Sequence, residues 1–291
     1  YAGNMSAIAG LYEEMGKYRD AEALYLKALK ITEQSRGGAH PTTARVMTSL
    51  ANLYLDMGRY EEAEKLVETA VKINQDKLGK EHVETARSMQ VQAEVYIAKG
   101  LYAEAEPLCK RALGIREKIL TKEHPLVADS RIALASLYRN SGRSLEAEAE
   151  YKKALAIQEK AFGTDHLDVA ESLNLLGTLS QERGAVKEAE LSYQKALEIR
   201  EKAFGKYHPD IAESLDTLAN LFMVAGKYQE AEQRYKTALE IREKVYDKNS
   251  PFVADSMHNL GVLYRSTGRF DASGHFLQKA YTTLFDAYGE S

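Results

Sequence analysis

A single glycine recurs every 42 residues along this chain, at Gly16, Gly58, Gly100, Gly142, Gly184, Gly226 and Gly268. Self-similarity at one such period confines the chain to an array of like supersecondary units, each packed chiefly on its neighbours. The period holds seven times with no insertion. Twelve residues beyond each glycine stands an alanine: Ala28, Ala70, Ala112, Ala154, Ala196, Ala238 and Ala280. A small residue kept in register this way marks two backbones too close for a larger side chain.

Before each glycine runs an apolar set such as Met47, Leu50, Ala51 and Tyr54, which falls on one helical stripe. After it comes a second set, such as Tyr60, Ala63, Val67, Ala70, Val71 and Ile73, again mostly at intervals of three and four. Each unit therefore reads as a helix A, a short turn with glycine in the left-handed conformation, and a helix B. One hairpin cannot bury both of its faces, so neighbours must stack. Pro41, Pro125, Pro209 and Pro251 take the first turn of helix A, where a missing N–H costs nothing, and Pro107 alone falls early in a B helix. The expected organisation is one solenoid domain over 1–291, with repeats at about 1–38, 39–80, 81–122, 123–164, 165–206, 207–248 and 249–291.

The Gly, Tyr and Ala-Glu of GRYEEAEKLVETAVKIN and GKYQEAEQRYKTALEIREK resemble tetratricopeptide repeats. Phrases such as YAEAEPLCKRALGIREKIL and FGKYHPDIAESLDTLANLF look most like the 42-residue repeats of kinesin light chains. The resemblance spans all seven units and implies an all-α fold, a right-handed α-solenoid or superhelix of seven helix-turn-helix units. Ser144 and Val186 depart from it where an aromatic is usual, and repeat 7 carries ASGHF where Ala-Glu is expected. The last helix keeps Phe276, Leu277, Tyr281, Leu284, Phe285 and Tyr288, whereas a capping repeat should turn a polar face outward, so further structure is expected to follow.

Composition narrows the function classes. Lys and Arg number 39 against 43 Asp and Glu, so the chain lacks the positive surplus that nucleic-acid binding requires. No apolar run is long enough to span a membrane, and Tyr1 begins in mid-pattern without a signal peptide, so an excised soluble fragment is expected. Cys109 is the only cysteine, which excludes an internal disulfide and suits a reducing, cytoplasmic location. It occupies the large buried position of helix B that Tyr25, Val67, Tyr151, Tyr193 and Tyr235 fill elsewhere, and a packed, inert thiol is expected there.

His40, His82, His124, His166 and His208 also lie 42 residues apart. Equivalent positions in successive repeats are separated by at least a helix-packing distance of about 8 to 10 Å, too far for imidazoles to share a zinc. Ser250, followed by Pro251, takes the same place in repeat 7, which points to a helix-starting role for the whole series. No phosphate loop, HExxH or paired-cysteine spacing is present, so no metal, cofactor or catalytic residue is assigned and no enzymatic activity is expected. The REK runs at Arg116, Arg200 and Arg242 read as a solvated face with weak ion pairs, and Tyr12, Tyr54, Tyr96, Tyr138 and Tyr264 read as core.

In tetratricopeptide proteins a second stripe of helix A lines a concave, peptide-holding groove. In this chain the matching positions lie 13, 10, 6, 3 and 2 residues before each marker glycine. Carried over, they make Arg45, Thr48, Asn52, Arg87, Gln90, Glu94, Arg139, Asn140, Glu171, Asn174, Glu182, Glu213, Asp216, Asn220, His258 and Arg265 the candidate site. Amides such as Asn52, Gln90, Asn174 and Asn220 suit the backbone of an extended peptide. Repeats 5 and 6 supply Glu171, Glu182, Glu213 and Asp216 with no base on the stripe, against Arg45, Arg87 and Arg139 in repeats 2 to 4. The expectation is a groove whose amino-terminal half tolerates acidic ligand residues and whose carboxy-terminal half prefers basic ones.

The expected function is a non-catalytic adaptor or scaffold for a protein or peptide ligand, with kinesin light chain-like cargo recognition as its sharper form. No nucleic-acid partner and no membrane insertion are expected. The competing expectation is a spacer or self-association module that uses its terminal helices as contact surfaces.

Overall fold

The structure is a computed structural model and describes residues 2–289; the side chains of Glu14 and Tyr288 lie outside the described set. The hairpins follow one another as α1 (Ala2–Glu14) with α2 (Tyr18–Arg36), α3 (Pro41–Asp56) with α4 (Tyr60–Leu78), α5 (Val83–Ala98) with α6 (Tyr102–Ile119), and α7 (Pro125–Asn140) with α8 (Ser144–Phe162). Then come α9 (Leu167–Glu182) with α10 (Val186–Phe204), α11 (Pro209–Val224) with α12 (Tyr228–Val245), and α13 (Pro251–Ser266) with α14 (Phe270–Tyr288). No strand occurs among the described residues.

Two compact units divide the chain, Tyr1–Ile157 and Gln158–Ser291, with the boundary inside α8. In the first, α4 packs on α5 and α6 on α7, while the A helices α3, α5 and α7 also touch in series. In the second, α10 packs on α11 and α12 on α13 in the same way. Each unit is an α-solenoid of stacked hairpins, as the periodicity requires.

The turns form for the reason the glycines suggested. Gly58 has φ 71°, a conformation that a Cβ would strain, and the next N–H, of Arg59, closes the helix end by donating to the Tyr54 carbonyl at 2.8 Å. The alanine series is buried throughout, and Met47, Leu50, Ala51 and Tyr54 form the apolar stripe of α3 as expected. Tyr54, Tyr138 and Tyr264 are buried, while Tyr12 and Tyr96 are half-buried.

Those tyrosines do more than fill space. The Arg59 guanidinium lies 4.0 Å above the Tyr54 ring and pairs with Glu22 of the preceding hairpin at 2.7 Å. Arg143 repeats the arrangement over Tyr138 with Glu106, and Arg269 over Tyr264 with Glu232. A cation on the ring face and a carboxylate one hairpin back tie successive repeats at their turns.

The histidine series starts helices. Nδ1 of His40, His82, His124, His166 and His208 accepts the backbone N–H two residues on, at 3.1, 3.1, 3.1, 3.2 and 3.3 Å. Ser250 adopts the same extended backbone, but its hydroxyl makes no capping bond, so the parallel with serine holds in position and not in chemistry. Instead, Tyr246 stacks on Phe252 across that joint. Two of the histidines also stack, His166 on Phe162 and His208 on Phe204.

A cap of this kind predicts that His82→Ala lowers the unfolding free energy by roughly 0.5–2 kcal/mol, whereas His82→Asn retains most of the stability. Chemical denaturation of the two variants checks this.

Candidate functional site

Three B helices carry an arginine near their C-terminal ends, Arg116, Arg200 and Arg242 of the REK runs, that the sequence reading placed in solvent. That reading is corrected for Arg116, which is 3% exposed. Its guanidinium Nη1 donates to Ser130 at 2.7 Å, to the Leu126 carbonyl at 2.9 Å and to Gln90. The same register recurs: Asn74 donates to Ser88 at 3.3 Å, Gln158 accepts from Ser172 at 2.5 Å, Arg200 donates to Ser214 at 2.6 Å, and Arg242 donates to Ser256. Each pair joins one B helix to the next A helix.

The arginines also reach back to the candidate stripe of their own hairpin. Gln90 accepts from Arg116, Asn174 from Arg200 at 2.6 and 2.8 Å once its amide is turned to face the guanidinium, and Asp216 from Arg242 at 2.5 Å. The acid–base balance expected in repeat 6 changes accordingly. Asp216 has a base after all, supplied from α12, in an ion pair whose side chains are 11% and 12% exposed. Burial still raises the Asp216 carboxyl pKa, with Arg242 pulling it down.

The other amides are engaged as well. Asn52 donates to Glu13 at 3.3 Å, Asn220 accepts from the Tyr235 hydroxyl, and Asn140 donates to the Ser136 carbonyl at 2.9 Å. Thr48 is buried and turns its hydroxyl to the Ala44 carbonyl at 2.9 Å. Arg45, Arg87, Glu171, Glu182, Glu213, His258 and Arg265 are exposed, and Arg139 is half-buried.

Within the first unit the structure brings Thr48, Asn52, Arg87, Gln90 and Glu94 together around one cleft of about 380 Å³, closed from beneath by Arg116 and flanked by Glu13 and Asp129. Arg45 and Arg87 border a neighbouring cleft of about 360 Å³ beside α1. Arg139 and Asn140 stand outside both. In the second unit, one cleft lies at the hairpin turns around Gly226 and Arg269, and another at the far helix ends around Asn249 and Met257. Neither is lined by Glu171, Asn174, Glu182, Glu213, Asp216, Asn220, His258 or Arg265.

The cleft in the first unit is electrostatically uneven. Burial raises the Glu94 carboxyl pKa, opposed by the Gln90 amide that donates to it at 2.9 Å and by Arg116, and assisted by Asp129 and Asp56. Glu13 is raised for the same first cause, with Tyr25 and Asn52 donating to it and the Asp56 carboxyl alongside. Asp56 is raised by burial too. Glu13 was missed by the sequence reading, which began its stripe in repeat 2. The buried arginines had a signal in plain view, since Ser88, Ser130, Ser172, Ser214 and Ser256 also recur every 42 residues. Cys109 is buried as expected, and burial pushes its thiol up to about 12, away from the thiolate form. Among the described residues no group of three or more His, Cys, Asp and Glu side chains could hold a metal, and no helix is long and apolar enough to cross a membrane.

Stacked two-helix hairpins with a polar stripe on their A helices define a helical-repeat protein. The tetratricopeptide repeat profile matches residues 1–76, 48–118, 84–160, 131–202 and 210–284, and the chain belongs to that family. Among solved structures it is similar to the nearly identical kinesin light chain TPR-like repeats of Podosopora anserina, at 26% identity and TM-score 0.64, over 72% of this chain and 99% of that one. It is also similar to BtubC (BKLC) from P. vanneervenii, at 23% identity and TM-score 0.67, over 81% and 93% of the two chains. A Rap protein complexed with Competence and Sporulation Factor shares the fold at 14% identity and TM-score 0.62, over 96% and 73%. A search of curated protein sequences found no match.

Two outcomes follow from the charges. Arg242→Met strands a buried carboxylate at Asp216 and lowers the unfolding free energy by roughly 3–5 kcal/mol, most of which returns when Asp216→Leu is added; denaturation of the single and double variants measures it. Glu94 has a folded pKa above its ordinary 4.5, so its ionised form weakens the fold at neutral pH, and the fold regains that stability as pH falls through the raised value. Glu94→Gln is therefore expected to raise the melting temperature at neutral pH, with the gap to the unaltered protein closing as the pH approaches 4.5.

Proposed function

We propose that the chain is a non-catalytic scaffold that holds an extended protein segment along the A helices. The observation that carries this reading is the cleft of about 380 Å³ in the first unit, where polar side chains of α3 and α5 converge with Glu13 of α1. Asn52, Gln90 and Glu94 come from equivalent faces of successive hairpins, so one extended ligand meets a donor or acceptor at each step. The exposed Arg87 and Glu213 offer charged contacts on the same stripe in the two units. Similarity to kinesin light chain repeats supports a cargo-recognition form of this role, and the Rap protein solved with its factor is a ligand-bound example of the fold.

A second reading, self-association, is favoured by apolar side chains that stand in solvent on α1 and α14, among them Leu11 at 58% exposure, Tyr281 at 62% and Phe270 at 70%. Mass measured against protein concentration separates the two, because self-association needs no ligand.

For the groove, proximity labelling with the unaltered chain, Arg87→Glu and Glu213→Lys as baits is expected to return partners that one or both variants lose. Retention of every partner by both variants would falsify the groove reading.

A further inference from the structure

A tyrosine occupies the same B-helix position in four hairpins, and in three of them its hydroxyl meets the A-helix residue fifteen places earlier: Ser136 from Tyr151, Thr178 from Tyr193 and Asn220 from Tyr235. In repeat 1 the hydroxyl of Tyr25 donates to Glu13 at 3.0 Å instead. Repeats 2 and 3 place Val67 and Cys109 at this position, both buried and both too short to reach across. Repeat 7 carries Leu277 there, opposite the apolar Val262. The polar A-helix residues left without a phenol from their own hairpin are Asn52 and Glu94, and both line the cleft of the first unit beside Tyr25.

The charge around that space has a definite sign. Glu13, Glu94 and Asp129 line it, with Asp56 beside Glu13, against two guanidiniums. Of these, Arg116 is committed beneath the cleft to Gln90, Leu126 and Ser130, while Arg87 stands exposed at the rim with its guanidinium 3.4 Å from Ser49. An incoming carboxylate would meet the raised carboxyls of Glu13 and Glu94. An incoming cation would relieve them.

We propose that this cleft is a specificity pocket that seats one lysine or arginine side chain of the bound segment, its cationic head donating to Glu94, which lacks a tyrosine hydroxyl from its own hairpin, and to Glu13 beside the Tyr25 hydroxyl and Asn52 amide that already donate to it. The inference rests on the groove reading above and sharpens it: the first unit selects a basic residue, the reverse of what Arg45, Arg87 and Arg139 suggest when counted alone. The aliphatic stem of such a residue lies against Val91 and Leu126, which share the cleft lining.

The probe is a random peptide library displayed on phage and selected against the full chain. Enrichment of Lys or Arg at one ligand position is expected. Glu94→Gln, which keeps the shape and removes the charge, is expected to weaken the selected peptides by about tenfold or more and to abolish the preference. Cys109→Tyr restores the ring that is buried at this position as Tyr151, Tyr193 and Tyr235, so a melting temperature no lower than that of the unaltered chain is expected together with lost Lys or Arg selection. Three outcomes overturn the proposal: enrichment of Asp or Glu at that position, peptides enriched with no basic preference, or a basic preference that survives both substitutions. Failure to enrich any peptide sinks the groove reading itself, and this pocket with it.

Discussion

Close approach of two helices across a small residue is the constraint on which the rest depends. Ala70 and its counterparts every 42 residues are buried, and on the facing helix Gly177 leaves so little room that an added Cβ would lie 2.7 Å from the Tyr193 ring. Interiors packed this tightly admit few side-chain exchanges. The separation between helices A and B is therefore held nearly constant, and a tyrosine that spans it reaches the facing A helix, at Ser136, Thr178 and Asn220 in three hairpins and at Glu13 in the first. A shorter residue leaves a vacancy that the backbone cannot close. Where Val67 and Cys109 stand in place of that tyrosine, Asn52 and Glu94 of their own hairpins line the cleft.

Stacking continues the apolar core from hairpin to hairpin and adds polar links to it. These links lie at both ends of the helices: arginine on a tyrosine face with a carboxylate behind it at the turns, and a guanidinium or amide donating to serine at the other end. Arg116 and Arg242 are buried groups that need every partner they have, since an unpaired buried charge is far costlier than a paired one. Their partners include Gln90 and Asp216, which belong to the polar stripe of the A helices. Stripe and repeat joint share side chains, so a substitution on the stripe also acts on the fold.

The histidines show how a residue with reactive chemistry becomes structural by placement. Each imidazole sits just ahead of an A helix and accepts a backbone N–H that would otherwise lack a partner. Glu94 shows the opposite case. Burial raises its carboxyl pKa, the Gln90 amide and Arg116 oppose that rise, and it lines a cleft where side chains of α3 and α5 converge.

Helix type, hairpin order, turn position and the alanine seam were all legible in the sequence, because each depends on local spacing repeated seven times, and repetition turns weak local signals into strong ones. The helix-starting role of the histidines was legible for the same reason. The burial of Arg116, the base that meets Asp216, and the part played by Glu13 were not. Each depends on which side chain of one hairpin lies over which side chain of the next, and a hydrogen bond is made or missed over about an ångström. The sequence by itself determined that the chain is a tetratricopeptide array with a polar stripe along its A helices. Only the tertiary structure decided which stripe residues serve the joints between repeats and which surround an open cleft, because that depends on how far each facing side chain reaches across a fixed gap.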